Sequence, residues 1–186
     1  ELEAAIHLRA DGPRWLNMAQ LTLAQAGMLE ANGQAAAAEA GFNQANEDIV
    51  QIVEKWPRYG RAHLIFATVH LALGDRERAR VELEIAERLS PESPMLWAVW
   101  AQLDLSREDG VSATAKINRA LALDPENWQL RVQAAGIFYG AGDEAAARAQ
   151  ADEALRLVAP ARRDELRTYL DGMLGSRDLA LPEPDT

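Results

Sequence analysis

The stretch GVSATAKINRALALDPENW, residues 110–128, carries Ala113, Ala120 and Pro125, and the same three residues stand 34 positions earlier at Ala79, Ala86 and Pro91. The alanines recur 34 positions later at Ala147 and Ala154, and Pro57 precedes Pro91 by the same interval. Three columns in one register define a repeat, and a period near 34 belongs to a two-helix unit that stacks on copies of itself.

Each repeat holds two apolar-periodic stretches. From Gly60 to Ser93, the residues Leu64, Phe66, Ala67, Val69, His70 and Leu73 predict a first helix, which Gly74-Asp75 breaks. Ala79, Leu83, Ala86 and Leu89 then fall at i, i+4, i+7 and i+10, one face of a second helix that Ser90-Pro91 stops. Residues 128–160 follow the same plan, with Ala134, Ala135 and Phe138, then Gly142-Asp143, then Ala147, Ala151, Ala154 and Leu157. In residues 94–127 the turn reads Glu108-Asp109-Gly110, so a glycine arrives two positions late. Ser93-Pro94 and Asn127 are helix-start signals.

The first repeat is longer. Gly33 to Gly74, Ala38 to Ala79 and Ala45 to Ala86 are each 41 residues, seven more than the period. Seven residues are nearly two helical turns, so the buried face keeps its direction. The added stretch carries Ile49, Val50, Ile52, Val53 and Trp56, and the pattern from Trp15 and Leu16 through Ala19, Leu23 and Ala26 to Leu29 predicts a matching long partner. Both helices are expected to overhang the stack by about two turns, either packing on themselves or forming a contact ridge.

Between Ala19 and Pro160 the chain resembles the tetratricopeptide repeat (TPR). Trp97, Trp100 and Ala101 match the large and small columns of that family's first helix, Ala113, Ile117 and Ala120 those of its second, and Leu123-Asp124-Pro125 its closing motif. The resemblance implies an all-α, right-handed superhelical solenoid of antiparallel helix pairs with a concave groove. The expected organisation is the second helix of a preceding repeat over 1–12, an elongated repeat over 13–59, and repeats over 60–93, 94–127 and 128–160. A capping helix over 161–174 and a disordered acidic tail over 175–186 complete it. The chain opens at Glu1 within a helical pattern and reads as an excised piece of a longer protein.

Composition narrows the function. The net charge of −10 argues against a nucleic-acid partner, and it sets aside the basic pentatricopeptide repeat of similar period. No cysteine is present, which removes disulfides, thiolate metal sites and cysteine nucleophiles. No apolar run approaches the ~20 residues of a membrane span. Lysine occurs only at Lys55 and Lys116 amid many arginines, pointing to a GC-rich bacterial source. The compartment stays open between cytoplasm and periplasm.

No catalytic constellation emerges, and no cofactor or metal is expected. His63 and His70 lie seven apart on one helix, about 10 Å along its axis, too far to ligate one metal; both fall in core columns. His7 reads as a surface or capping residue. Glu77, Arg78, Glu82, Glu84, Glu87 and Arg88 read as a solvated face, with Glu84 and Arg88 spaced for an i, i+4 pair. Trp97 and Trp100 sit in core columns, whereas Trp56 and Trp128, at repeat junctions, are candidates for contact.

In the resembled family the first helices line the concave surface. By register that face carries Gln20, Leu23, Gly27 and Glu30 in the first repeat and Arg61, Leu64, Thr68 and Leu71 in the second. The third supplies Met95, Ala98, Gln102 and Leu105, and the fourth Gln129, Val132, Gly136 and Tyr139. Only Arg61 is basic, so the carboxylate clamp of the family's chaperone-binding members is not expected. The expected function is a non-enzymatic scaffold that holds a peptide or helix of a partner protein by apolar anchors. The alternatives are a spacer or assembly module of a bacterial envelope complex (polysaccharide export, pilus or cytochrome assembly) and the non-catalytic repeat region of an enzyme. Basic partners are favoured by charge, and self-association through the elongated first repeat or the N-terminal end is open to the chain.

Overall fold

The computed structural model describes residues 12–175, so the expectations for the segment before α1, His7 included, and for the acidic tail lie outside the described residues. Among the described residues nine α-helices run α1 Gly12–Ala31, α2 Ala35–Lys55, α3 Gly60–Ala72, α4 Arg76–Leu89, α5 Pro94–Ser106, α6 Gly110–Leu123, α7 Trp128–Gly140, α8 Glu144–Leu157 and α9 Arg163–Leu174. A 3-10 turn, Pro160–Arg162, precedes α9, and no strand occurs among the described residues. The helices pack as antiparallel pairs, α1 with α2, α3 with α4, α5 with α6 and α7 with α8. The fold is all-α and built of TPR-like helix pairs. The chain divides into two compact units, Glu1–Pro91 and Glu92–Thr186.

In the first unit α1 and α2 have 20 and 21 residues, against 13 and 14 in α3 and α4. The extra turns are not a bare ridge. Ile49, Ile52 and Trp56 of the longer stretch form one core with Leu16 and Ala19 of α1 and Ala62, Ile65 and Phe66 of α3. Trp56 is buried, which removes it as a contact residue. A second cluster joins Ala26, Ala38 and Phe42. The other side of α1 differs: Trp15, Met18, Leu21 and Met28 are 55%, 67%, 60% and 68% exposed.

The second unit buries an almost unbroken run on α5, Leu96 to Ala101, and narrower stripes on the flanking helices. Gly140 of α7 faces the Leu105 side chain of α5. A Cβ there would stand 2.6 Å from Leu105 Cδ2, so a larger residue would force the Leu105 side chain to shift. The closing helix α9 buries Leu166, Leu170 and Leu174 and packs on α7 and α8.

Three of the four second helices start alike, α2 being the exception with an uncapped Gln34. Asp75, Asp109 and Asp143, each 34 apart, accept from the backbone N–H of Arg78, Ser112 and Ala146 at 3.1, 3.0 and 3.0 Å. These are N-caps that satisfy otherwise orphaned donors. The turn before each cap needs one residue with positive φ, which Gly74 supplies at 77° and Gly142 at 85°. The third repeat does not shift its turn to use Gly110. Glu108 takes the glycine's place at φ 63°, and the turn keeps the same backbone bonds: Glu108 N–H to Leu105 O and Asp109 N–H to Asp104 O.

Left-handed backbone costs a residue with a Cβ about 1–2 kcal/mol. Glu108→Gly removes that cost and is expected to stabilise the protein by about 1 kcal/mol, offset in part by the extra freedom of glycine in the unfolded chain. Chemical denaturation of the two proteins checks it; a glycine variant less stable than the parent refutes the strain.

Candidate functional site

The first helices carry the predicted contact face, and each unit presents its own part. In the first unit Arg61 Nη2 donates to Gln20 Oε1 at 2.9 Å, joining α3 to α1. Thr68 turns its hydroxyl inward to the Leu64 carbonyl of its own helix at 3.1 Å, and Leu71 is half-buried. Leu64 is buried and belongs to the core, so it offers no surface.

In the second unit Met95 and Tyr139 are 42% and 41% exposed. Gln133 Nε2 lies 3.9 Å from Met95 Sδ, linking α7 to α5; Gln129 is exposed, and Gln102 and Val132 are half-buried. Ala98 is buried and is core, not contact. Gly136 is faced by the protein's own Met173, whose sulfur would lie 3.5 Å from an added Cβ. Leu105 is half-buried against Gly140.

A polar column escapes a reading of the sequence alone. Glu82, Lys116 and Gln150 stand 34 apart on α4, α6 and α8, and each clasps the first helix of its own pair. Glu82 Oε2 meets His63 Nδ1 at 2.6 Å, Lys116 Nζ donates to Asp104 Oδ2, and Gln150 Oε1 accepts from Arg131 Nη1 at 2.6 Å. Glu82 is therefore not part of a solvated face, its side chain being only 15% exposed. Glu84 is also re-partnered: it pairs with Arg80, not with Arg88.

His63 and His70 are both buried, with pKa shifts of opposite sign. Both ring nitrogens of His63 face oxygens, Glu82 and the Pro57 carbonyl at 3.0 Å, an arrangement that the doubly protonated ring satisfies at both positions. Burial pulls its pKa down; the bonds to Glu82 and Pro57 and the charge of Glu82 outweigh burial and raise it. His70 has no such partners. Burial is the largest influence on it and lowers its pKa, Arg78 acting in the same sense and Asp75 and Glu82 against it.

Cations sit over three of the five tryptophans. Arg119 lies 3.6 Å from the Trp97 ring centre, Lys116 5.0 Å from Trp100 and Lys55 4.9 Å from Trp56, contacts that stabilise the pairs. Trp128 is half-buried and lines a cleft of about 460 Å³ with Val158, Leu166 and Tyr169. Among the described residues no group of three or more His, Cys, Asp or Glu is placed to hold a metal ion. No helix among them is long and apolar enough to cross a membrane.

These paired helices, with capped second helices and alanine columns, define a TPR-like repeat protein. The structural likenesses agree. The chain is similar to a thermophilic TPR protein of Thermus thermophilus, with 22% identity, a TM-score of 0.62, and 84% of this chain and 98% of that one covered. It is also similar to MamA, at 14% identity and a TM-score of 0.52, covering 73% of this chain and 88% of that one. MamA from residue 41 onward, from Desulfovibrio magneticus RS-1, gives the same identity and TM-score over 83% and 90%. No protein-family model matches the chain, and no curated protein sequence matches it. At these identities the likeness shows the fold.

The two histidines should titrate on opposite sides of the unperturbed value of 6.5. A raised folded pKa means that the contribution of His63 is complete below pH 6.5 and is lost as pH rises through its folded value. His70, with its pKa lowered, stabilises fully above 6.5 and loses that contribution as pH falls through its folded value. NMR titration of the imidazole resonances reads both. Glu82→Gln should bring the His63 midpoint down; a midpoint that stays put refutes the clasp.

Proposed function

We propose that the chain is a non-enzymatic interaction scaffold that receives a peptide segment or amphipathic helix of a partner protein on its first-helix faces. The observation that carries this reading is the face of α5 and α7. It combines exposed Met95 and Tyr139 with the amides of Gln102, Gln129 and Gln133, and carries no ionised side chain at the face positions. Apolar anchors provide affinity there and amides fix orientation. In the first unit Arg61, Thr68 and Leu71 offer a smaller, more polar patch. The chain's −10 charge favours basic partners by long-range attraction, weakly at physiological salt.

Met95 and Tyr139 can be changed without opening the core. A double variant, Met95→Glu with Tyr139→Glu, is expected to keep its thermal midpoint and to lose the partner that the parent retains in a pull-down from the source organism. Truncating an anchor of this kind costs on the order of 2 kcal/mol, some thirtyfold in Kd. Equal recovery of the same partner by both proteins removes the site from this face.

A second reading, a spacer or assembly module, is favoured by one feature of α1. The register equates Leu21 with Ala62 and Leu130, and Met28 with Val69 and Ile137; those four are at most 4% exposed. Ala62 and Val69 lie on α3, which packs on α2, and Leu130 and Ile137 on α7, which packs on α6. The α1 stripe is thus a helix-stacking face. Sedimentation over a range of concentrations tests whether a second copy takes it: the assembly reading expects a mass that rises for the parent and stays monomeric for Leu21→Glu with Met28→Glu. A concentration-independent monomeric parent refutes self-assembly.

A further inference from the structure

On the other side of the first unit, α2 and α4 flank α3 and leave a cleft of about 350 Å³ over it. Its apolar wall residues are Val50 from α2 and Val81 from α4, the latter 45% exposed at the rim, and Asn46, Arg78 and Glu82 share the lining. Phe66 and His70 of α3 also line it, their rings 4.3 Å apart between centres. The cleft uses none of the residues assigned to the first-helix faces.

Two polar groups in this cleft are not provided for. His70 is 3% exposed and makes no hydrogen bond among the described residues. The Oδ1 atom of Asn46, which lines the same cleft, is buried and has no hydrogen-bond partner. Buried polar groups are nearly always paired in native proteins, so the enclosed Asn46 oxygen is the anomaly here. The His70 ring nitrogens are not among the enclosed unpaired atoms and are left to bond a group that enters the cleft. Contrast His63 on the same helix, with both nitrogens satisfied. The charged neighbours are already engaged: Glu82 with His63, and Arg78 with Asp75 at 3.3 Å.

The unmet needs define the occupant. Asn46 Oδ1 requires a donor, and the neutral imidazole of His70 can donate to an acceptor. One peptide group supplies both, its N–H to Asn46 and its carbonyl to His70, and an adjoining aliphatic side chain would fill the space between Val50 and Val81. We propose that this cleft is a binding site for an extended peptide segment of a partner protein, anchored by one aliphatic side chain and hydrogen-bonded through its backbone to Asn46 and His70. A carboxylate ligand would give Asn46 Oδ1 a second acceptor and no donor. The group that meets Asn46 is accordingly a donor and not a carboxylate.

The test uses the whole chain and N-acetyl-leucine N-methylamide, which holds one aliphatic side chain between two peptide groups. Titration at millimolar concentration should move the His70 ring resonances saturably. Val81→Glu, at the exposed rim, and Asn46→Leu, which removes the unpaired oxygen, should each weaken binding at least about tenfold. Met95→Glu with Tyr139→Glu should leave it unchanged, which separates this cleft from the first-helix face. Thermal midpoints confirm that each variant is folded; if Asn46→Leu is not, Val81→Glu and the His70 resonances still decide. No saturable shift, or equal binding by a folded Val81→Glu, overturns the proposal. Tighter binding of isobutylamine, a cation of similar apolar shape, also overturns it and makes the cleft a cation site beside Glu82.

Discussion

The structure depends on how closely two helices can approach within a pair. Ala67, Ala101 and Ala135 on the first helices and Ala79, Ala113 and Ala147 on the second helices are all wholly buried. A column of alanines sets a short interaxial distance, and larger residues on either side then interdigitate at native density. Lengthening the first pair by two turns respects this constraint, because a seven-residue addition returns the apolar face almost to its original direction. The core of α1, α2 and α3 grows accordingly without changing how the pairs pack.

Given that spacing, polar residues can bridge the two helices of a pair. Glu82, Lys116 and Gln150 occupy one column, yet they carry a negative charge, a positive charge and none. Their partners adapt in position as well as chemistry: His63 and Arg131 share one register place on the first helix, while Asp104 sits seven residues further along than that place. His63 and Arg131 also donate to the carbonyls of Pro57 and Pro125, tying the first helix to the turn that introduces it. Three of the four pairs thus have a clasp from one column of the second helix, each chemically distinct. Such clasps disfavour exchange of one second helix for another, since a mismatched clasp would leave a buried group without its partner.

This explains what can be read from the sequence. Identity recurring at a fixed interval is visible in one chain, so the alanine and proline columns and the capping aspartates declare paired helices. The clasp recurs in position but not in identity, and three different side chains at 82, 116 and 150 look like ordinary surface variation. The turn at Glu108 hides for a related reason: glycine is the visible marker of such a turn, whereas the backbone geometry is what repeats and a glutamate is held in it. The contact face is legible only as a direction on each first helix. Register places Leu64 and Met95 on the same kind of face, but their exposure depends on neighbours that no single-chain period reveals. Likewise Gly136 looks open in the repeat pattern, and α9 brings Met173 against it.

The unsatisfied parts of the molecule follow from the same geometry. Stacked repeats bury each first helix on several sides, so a position left exposed on one repeat and buried on the others marks a surface made for packing. Leu21 and Met28 meet that description on α1, and their apolar character needs a cover whose source the fold alone does not name. His70 and Asn46 present the complementary case: polar groups without a hydrogen bond, in a cleft they share with Val50, Val81, Arg78 and Glu82. A stacking face wants another helix with matching knobs and holes. A cleft holding an unpaired amide oxygen and an unbonded imidazole wants a backbone, because a peptide group carries donor and acceptor at fixed separation whatever its sequence. On the proposal made for the cleft, the two features select different occupants: a packed helix for the α1 stripe and an extended backbone for the cleft.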